Sequence, residues 1–564
     1  MNFRFYTDIV LIIISWLFMF AAYRGWGNKI ICILKLDFVE QDKEFAASWL
    51  GWSFSILFFS LINLFVPINL YSSFFFFLLG LFFFTNSIKK ILSQATLKKS
   101  ILPLIFAVLI AIISIQLPYC YDTGLYHLNS IRWLNEHPHI IGIGNLHHRL
   151  GFNQLFFTYI AHLNFHPLFN DYAFHVANGF LFVLLGTQLL LKKNALSVIL
   201  FAAMFFIPMP LYWLASTSPD LSSTVLQLTA FYYFIKLLRE KECFEKRETY
   251  IAFIAVIAAV STVIKLSNAA FSIGLALTSY LLIKRSDSKV FFTKRLIKTF
   301  AFIGILLVIW LCRGYMGTGY PLFPTGIGRT SADWALPEKL AKIGEERIYC
   351  FARLRNYEFN SPLLKDYKWV KPWFENIIYD IEGNFEGIAS VLFVCISIIC
   401  FAIWLIKTNF KTHQKENALI LVSLWAAQLL SIIFWFFTAP DIRFANGLFI
   451  TFFLTGILLV KSVSSNLTMP QSFKSPVLVF ILLFYVGLIN FYVSSNLFYL
   501  RGIIKLPKVP MIENITDSGL KLLTPQFKDQ CWDSDIPSTP EYDPKISLRG
   551  ESIRDGFKME QPLD

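Results

Sequence analysis

The feature that most constrains this chain is a succession of apolar runs, most of about 17 to 21 residues, separated by short loops that carry many of its lysines and arginines. Hydrocarbon offers no hydrogen-bond partner, so runs of that length must satisfy their backbone groups as helices. A multi-pass membrane protein follows. Composition supports this: 56% of the 564 residues are hydrophobic, 60 are Phe and only 15% are charged. A formal net charge of +13 would suggest nucleic acid in a soluble protein. Here the positive-inside rule accounts for most of the basic residues, and no nucleic-acid partner is implied. The 8 Cys show neither CxxC nor Cys/His metal spacing, and no G-x-x-x-x-G-K-[ST] loop is present, which argues against an ATP-driven pump.

Taken in order, the runs at 9–22, 46–66, 68–88 and 101–117 alternate with basic segments such as Lys89-Lys90 and Lys98-Lys99. The first is short unless Phe3, Phe5 and Tyr23 extend it, and with no small-residue cleavage site after it we read it as a retained span. This alternation places the long loop 118–171 on the outer face, with interfacial helices expected near 125–135 and 152–163. Further runs lie at 172–191, 195–213, 221–238, 250–283, 300–312, 387–406, 418–437, 444–460 and 476–493, giving about 13 or 14 crossings. Lys265-Leu266-Ser267-Asn268 interrupts the 250–283 run, and its halves are too short for two comfortable crossings at about 1.5 Å per residue. A thin or partly inserted hairpin is expected, with Lys265 snorkelling or facing a polar cavity.

The expected organisation is an all-α polytopic membrane protein: N-terminal helices (1–100), a membrane core (101–312), a small outer lobe (313–385), C-terminal helices (386–495) and a polar outer tail (496–564). Cys531 in the tail either pairs with Cys350 or Cys120 or stays free.

The chemistry centres on Tyr121-Asp122-Thr123-Gly124-Leu125-Tyr126-His127, which brings a carboxylate and an imidazole to the edge of a span, where ionisable groups are costly to keep. Parity puts His147-His148-Arg149, Asp220, Gly319-Tyr320-Pro321 and Arg443 on the same face. Asp220 could equally cap the helix that follows it. A reaction on this face has no cytosolic nucleotide donor, so its activated substrate must arrive attached to lipid. A polyprenyl-phosphate-linked sugar meets that need, with a glycan or lipid-linked acceptor and membrane lipids as the other partners.

Inverting transfer needs a carboxylate to deprotonate the acceptor hydroxyl and cations to steady the departing phosphate. Asp122 suits the first role. Arg443 suits the second, with Lys265 or Arg149 in reserve. Asp220 and the His residues could bind sugar hydroxyls, and a divalent cation on Asp122 and Asp220 is the one cofactor the pattern admits. Tyr126 and Tyr320 could stack on a sugar.

The order of parts resembles the GT-C class of integral membrane glycosyltransferases. Tyr121 to His127, Ser218-Pro219-Asp220 and Asp441-Ile442-Arg443-Phe444 match that class in position and type, over roughly 101–460. The resemblance implies a GT-C-like bundle with interfacial helices in the first large outer loop, a lipid-phosphate-sugar donor in the bacterial inner membrane and Asp122 as catalytic base. The chain departs from the class in having Thr123 after Asp122 in place of a second acid, and three extra runs before the loop. It also resembles a group of bacterial multi-pass proteins of no assigned activity that share Asp-Thr-Gly-Leu-Tyr-His, Gly-Tyr-Pro and a tail like Leu548-Arg549-Gly550. The rival readings are a polysaccharide polymerase or ligase acting on lipid-linked sugars, a lipid or glycan transporter (flippase), and a structural subunit of the cell envelope.

Overall fold

Several helices in this protein run well past the apolar stretches that announce them. The computed structural model describes residues 3–94, 97–118, 120–164, 173–192, 194–206, 213–240, 243–286, 293–354, 361–379, 385–407, 415–463, 506–560 and scattered positions between 481 and 503. Helix α1 (Phe3–Leu34) has 32 residues. Its Arg24 stays inside the bundle because the guanidinium meets Glu44 at 2.9 Å and lies over the Phe84 ring. A charge with a partner does not end a helix.

The succession continues through α2 (Glu40–Ile62), α3 (Leu70–Gln94) and α4 (Leu97–Ser114), then two short helices of the long loop, α5 (Leu128–Glu136) and α6 (Phe156–His162). Next come α7 (Phe174–Lys192), α8 (Ala195–Phe206), α9 (Pro219–Arg239), α10 (Phe244–Ile264), α11 (Ala269–Ser286) and α12 (Lys294–Thr318). The lobe contributes α13 (Glu338–Arg353) and α14 (Val370–Tyr379), and α15 (Phe385–Lys407), α16 (Lys415–Thr438) and α17 (Asn446–Val463) complete the bundle. Eight described helices, α1, α2, α7, α9, α10, α12, α15 and α16, are long and apolar enough to cross a membrane, and shorter apolar helices lie within α3, α4, α8, α11 and α17. The chain is a mostly helical multi-pass membrane protein. The loop end at 165–172 and parts of the runs expected at 195–213 and 476–493 fall outside the described residues.

The expected thin hairpin at Lys265 is corrected. Helix α10 begins at Phe244 and has 21 residues, a full spanning length, because Glu248 in its second turn pairs with Arg295 at 3.2 Å. Lys265 itself adopts extended backbone, followed by a single 3-10 turn, Leu266–Asn268, before α11. It therefore sits at a helix end.

The polar tail, to which the sequence assigned no secondary structure, carries short strands. Two antiparallel ladders form, β1 (Met511–Ile515) with β2 (Lys521–Pro525) and β3 (Ile546–Leu548) with β4 (Phe557–Met559). The tail clamps two loops. Phe557 N–H donates to Ile141 O at 2.9 Å, Arg132 meets Asp535 at 2.7 Å, Arg347 of α13 meets Glu541 at 2.7 Å, and Arg549 meets Asp333 at 2.9 Å. Leu522, Ile546 and Phe557 share a buried cluster with Trp133, Ile140, Ile143 and Leu146 of the long loop. Among the described residues no disulfide joins Cys120, Cys350 or Cys531.

Ion pairs gather at both ends of the bundle. At one end Asp42, fully buried at the start of α2, takes Lys192 at 2.7 Å and also Lys236. The other end holds the residues singled out in the sequence. Between them α1 and α2 touch backbone to backbone: a Cβ on Gly51 would lie 1.7 Å from Tyr23 O, whereas one on Gly304 meets nothing within 4 Å. Overpacking of this kind costs about 1–3 kcal/mol or more. Gly51→Ala is expected to lower the thermal midpoint of purified protein by several degrees while Gly304→Ala leaves it unchanged or raises it; equal midpoints would contradict this packing.

Candidate functional site

Asp122 stands at the start of a π-helical turn, Thr123–His127, that runs directly into α5. Such turns are uncommon and concentrate at functional sites. The Asp122 side chain makes no capping bond, so its carboxylate is left to face other groups. The turn is backed by the tail: Trp532 N–H donates to Gly124 O at 2.7 Å, and a Cβ on Gly124 would lie 2.6 Å from the Trp532 ring. Only glycine fits there. Tyr121 also bonds Asp529, and Gln530 donates to Tyr121 O at 2.8 Å.

Two guanidiniums approach the two carboxylate oxygens of Asp122. Arg149 Nη1 lies 3.5 Å from Oδ1, and Arg443 Nη1 lies 3.5 Å from Oδ2. Arg149 comes from the 3-10 turn His148–Gly151 and Arg443 from the turn Ile442–Phe444. Asp441 fixes the second turn, accepting from the backbone N–H of Arg443 at 3.1 Å and meeting its Nε at 3.1 Å.

A second pair lies alongside. Ser218 caps α9, its Oγ accepting from Asp220 N–H at 3.3 Å with Pro219 in the first turn. The capping role considered for Asp220 thus belongs to Ser218, and the Asp220 carboxylate takes the Lys265 ammonium. Lys265 also sits 3.9 Å from the centre of the Phe444 ring, which Arg443 approaches at 5.0 Å, and Arg443 lies 5.1 Å from Phe351 of α13. Phe444 is shared, so the pairs form one cluster of three carboxylates and three cations.

The electrostatics distinguish these groups. Burial pushes the Asp122 carboxyl up, but Arg443, His127, Arg149 and Lys265 outweigh it and hold the group below the usual carboxylate range. His127 is pushed down to about 3, chiefly by burial, so it is neutral near pH 7. Its Nδ1 bonds Thr217 Oγ1 at 3.0 Å, and Thr217 donates on to Thr123 at 3.2 Å. Burial, followed by Asp122, pushes the Cys120 thiol up to about 12, which leaves it inert.

The structure therefore brings together Asp122, Arg149, Asp220, Lys265 and Arg443, with His127 and Tyr126 immediately behind. The face of Tyr126 is taken by Arg149, 5.8 Å from the ring centre, and its edges by Phe152 and Phe157. Tyr126 is buried and holds a guanidinium over its ring. His147 and His148 stand apart: among the described residues their ring contacts are with each other and with Phe152. Burial pushes His148 down to about 3, so it too is uncharged near pH 7. Tyr320 is corrected from a stacking residue to a packing one. It is buried with Phe323, Leu336 and Ala341, and its hydroxyl donates to Leu336 O at 3.2 Å.

Sequence reasoning named Asp441 and the tail without giving either a place at the site, and left out Phe351 and Thr217. Only Asp441 carried a signal, two positions before Arg443. A divalent cation does not fit the residues present: Asp122 and Asp220 each already face cations, and no group of three His, Cys, Asp or Glu side chains forms among the described residues.

This cluster lies within a stretch, residues 9–450, that matches a protein family. The chain belongs to the family described as Domain of unknown function (DUF8201). The match contains Asp122, Arg149, Asp220, Lys265 and Arg443 and ends before the β-ladder tail. No curated protein and no solved structure matches the chain.

Two outcomes follow from this family member's geometry. Removing one partner of a buried pair strands the other charge at a cost of about 3–5 kcal/mol. Lys265→Met should therefore destabilise strongly and the double variant Lys265→Met/Asp220→Leu should recover most of the loss, read as thermal midpoints; equal midpoints for the single and double variants would show that the two do not pair. For Asp122, a depressed folded pKa gives stability that is complete above the unfolded value near ~3.9 and is lost as pH falls through the folded value. Between pH 6 and 3 the wild-type midpoint should fall more steeply than that of Asp122→Asn, and parallel curves would contradict the pairing.

Proposed function

We propose that this protein is a membrane glycosyltransferase that moves a sugar, with inversion, from a polyprenyl-phosphate-linked donor to a glycan or other acceptor on the non-cytoplasmic face of the bacterial inner membrane. The observation that carries the reading is Asp122: a partly exposed carboxylate at the end of the helix bundle with a different guanidinium 3.5 Å from each oxygen. Charge-assisted bonds of full strength run about 2.7–2.9 Å. Contacts of 3.5 Å are loose, and a phosphate arriving between the two arginines would draw both away from Asp122.

The steps balance as follows. The acceptor hydroxyl attacks the anomeric carbon from the face opposite the phosphate, the bond from that carbon to the phosphate oxygen breaks, and the electron pair leaves on the phosphate. Arg149 and Arg443 neutralise that charge, Arg443 being aimed by Asp441. Asp122 takes the hydroxyl proton. Without donor it is a weak base because its neighbours hold the pKa down. With the guanidiniums turned to phosphate its basicity rises, so proton removal is favoured only once donor is bound. Lys265 stays on Asp220 and supports the positive field from behind.

Two features weigh against the rivals. A polymerase or ligase would rely on Arg and His of the outer loops, and His147 and His148 are buried and held uncharged near pH 7. A transporter would more naturally carry charges at several mid-span positions, whereas Lys265 sits at a helix end.

The test is the glycan and lipid-linked-sugar profile of cells carrying wild type, a deletion, or Asp122→Asn. Loss of the same glycan extension in both variants, with accumulation of its lipid-linked donor and normal protein levels, is the expected result. A profile altered by deletion and untouched by Asp122→Asn would refute the assignment of the base.

A further inference from the structure

A second concavity lies behind the wall formed by Tyr126 and Phe157. Its lining includes Trp133, His139, Phe152, Gln154, Arg313 and Gly317, and it encloses about 560 Å³ counted out to open solvent. Phe152 and Phe157 line it and also touch Tyr126, so it adjoins the Asp122 cluster without sharing its charges.

Its lining carries three buried polar atoms with no protein partner, one of them on a buried arginine. Arg313, near the end of α12, is 3% exposed and has no carboxylate against it among the described residues. Its Nη1 donates to Ser60 O at 3.2 Å and to Asn63 Oδ1 at 3.1 Å, at the end of α2. That helix end supplies only about half a negative charge, which leaves a net cation in an apolar setting. Arg313 Nε is unsatisfied, as are Nε1 of Trp133, also 3% exposed, and Oε1 of Gln154. Buried polar atoms nearly always have partners, and three orphans on one lining imply that something else supplies them.

The ligand chemistry follows from the orphans. Two donors, one of them cationic, call for an oxyanion, and the Gln154 amide calls for a hydroxyl. The aromatic walls suit the apolar face of a ring. We propose that this cavity is a binding site for a hydroxylated oxyanion, such as a sugar acid or sugar phosphate or the phosphoglycerol of a lipid headgroup, held by Arg313 and oriented by Gln154. The inference stands on this lining alone and does not depend on transfer at Asp122.

The experiment measures thermal midpoints of the full chain in phosphatidylcholine nanodiscs against increasing glucuronate, glucose 1-phosphate or neutral glucose, and in discs that contain phosphatidylglycerol. A saturable rise with either sugar anion, absent with glucose, identifies a soluble sugar anion; a rise only with phosphatidylglycerol identifies the headgroup. In both cases Arg313→Gln, which keeps a donor for Ser60 and Asn63, should weaken the apparent affinity at least tenfold. Gln154→Leu, which leaves the Arg313 contacts intact, should weaken it several-fold and serves where Arg313→Gln does not fold. No saturable rise with any probe, or a rise of wild-type affinity in Gln154→Leu or in folded Arg313→Gln, overturns the proposal.

Discussion

Charge neutralisation at the edge of an apolar bundle is the constraint on which this structure turns. Asp220 and Asp441 are almost fully buried, and a carboxylate left alone there would cost several kcal/mol. Asp220 is answered by Lys265 from the distant α10–α11 break, and Asp441 by Arg443 two residues on in the same turn, whose guanidinium also reaches Asp122 of the long loop. These pairings fix where α9, α10 and the α16–α17 turn must meet. Asp122 is the exception that gives the cluster its chemistry. It is more exposed than the other two, and both of its contacts are long.

The rest of the molecule holds that exception in place. The π-helical turn aims Asp122, Trp532 closes against Gly124 behind it, and the β-ladder tail ties the long loop to α13 through Arg132–Asp535 and Arg347–Glu541. Helix α13 in turn delivers Phe351 to Arg443. The Leu548-Arg549-Gly550 stretch has a structural role in this arrangement, since Arg549 pairs with Asp333 and lies 4.7 Å from the Trp334 ring centre. At the opposite end, Asp42 with Lys192 and Lys236 anchors α2 to α7 and α9.

Much of this was legible in the sequence because hydropathy and parity are strong signals. They put Asp122, Arg149, Asp220 and Arg443 at one end of the bundle, and the structure brings those four together with Lys265, which hydropathy left inside a run. Helix lengths were less legible. Arg24 and Glu248 lie inside helices because each finds an opposite charge that hydropathy does not register, and among the described residues the Arg313 guanidinium bonds only the neutral Ser60 O and Asn63 Oδ1. The choice between a capping and a functional role for Asp220 was open because Asp suits a cap, and it is decided by Ser218 taking the cap while Lys265 takes the carboxylate. The strands of the tail were not legible because they are three to five residues long and its apolar residues are sparse. Tyr320 looked available because a turn-rich run hides the small core formed by Phe323, Leu336 and Ala341.

The most direct test of the central claim, that Arg149 and Arg443 grip a lipid phosphate beside Asp122, is the affinity of purified protein in nanodiscs for a polyprenyl phosphate. The account predicts saturable binding that weakens at least tenfold in Arg443→Gln and in Arg149→Gln and is retained in Asp122→Asn, where the arginines are freed. Affinity unchanged by either arginine substitution would contradict it.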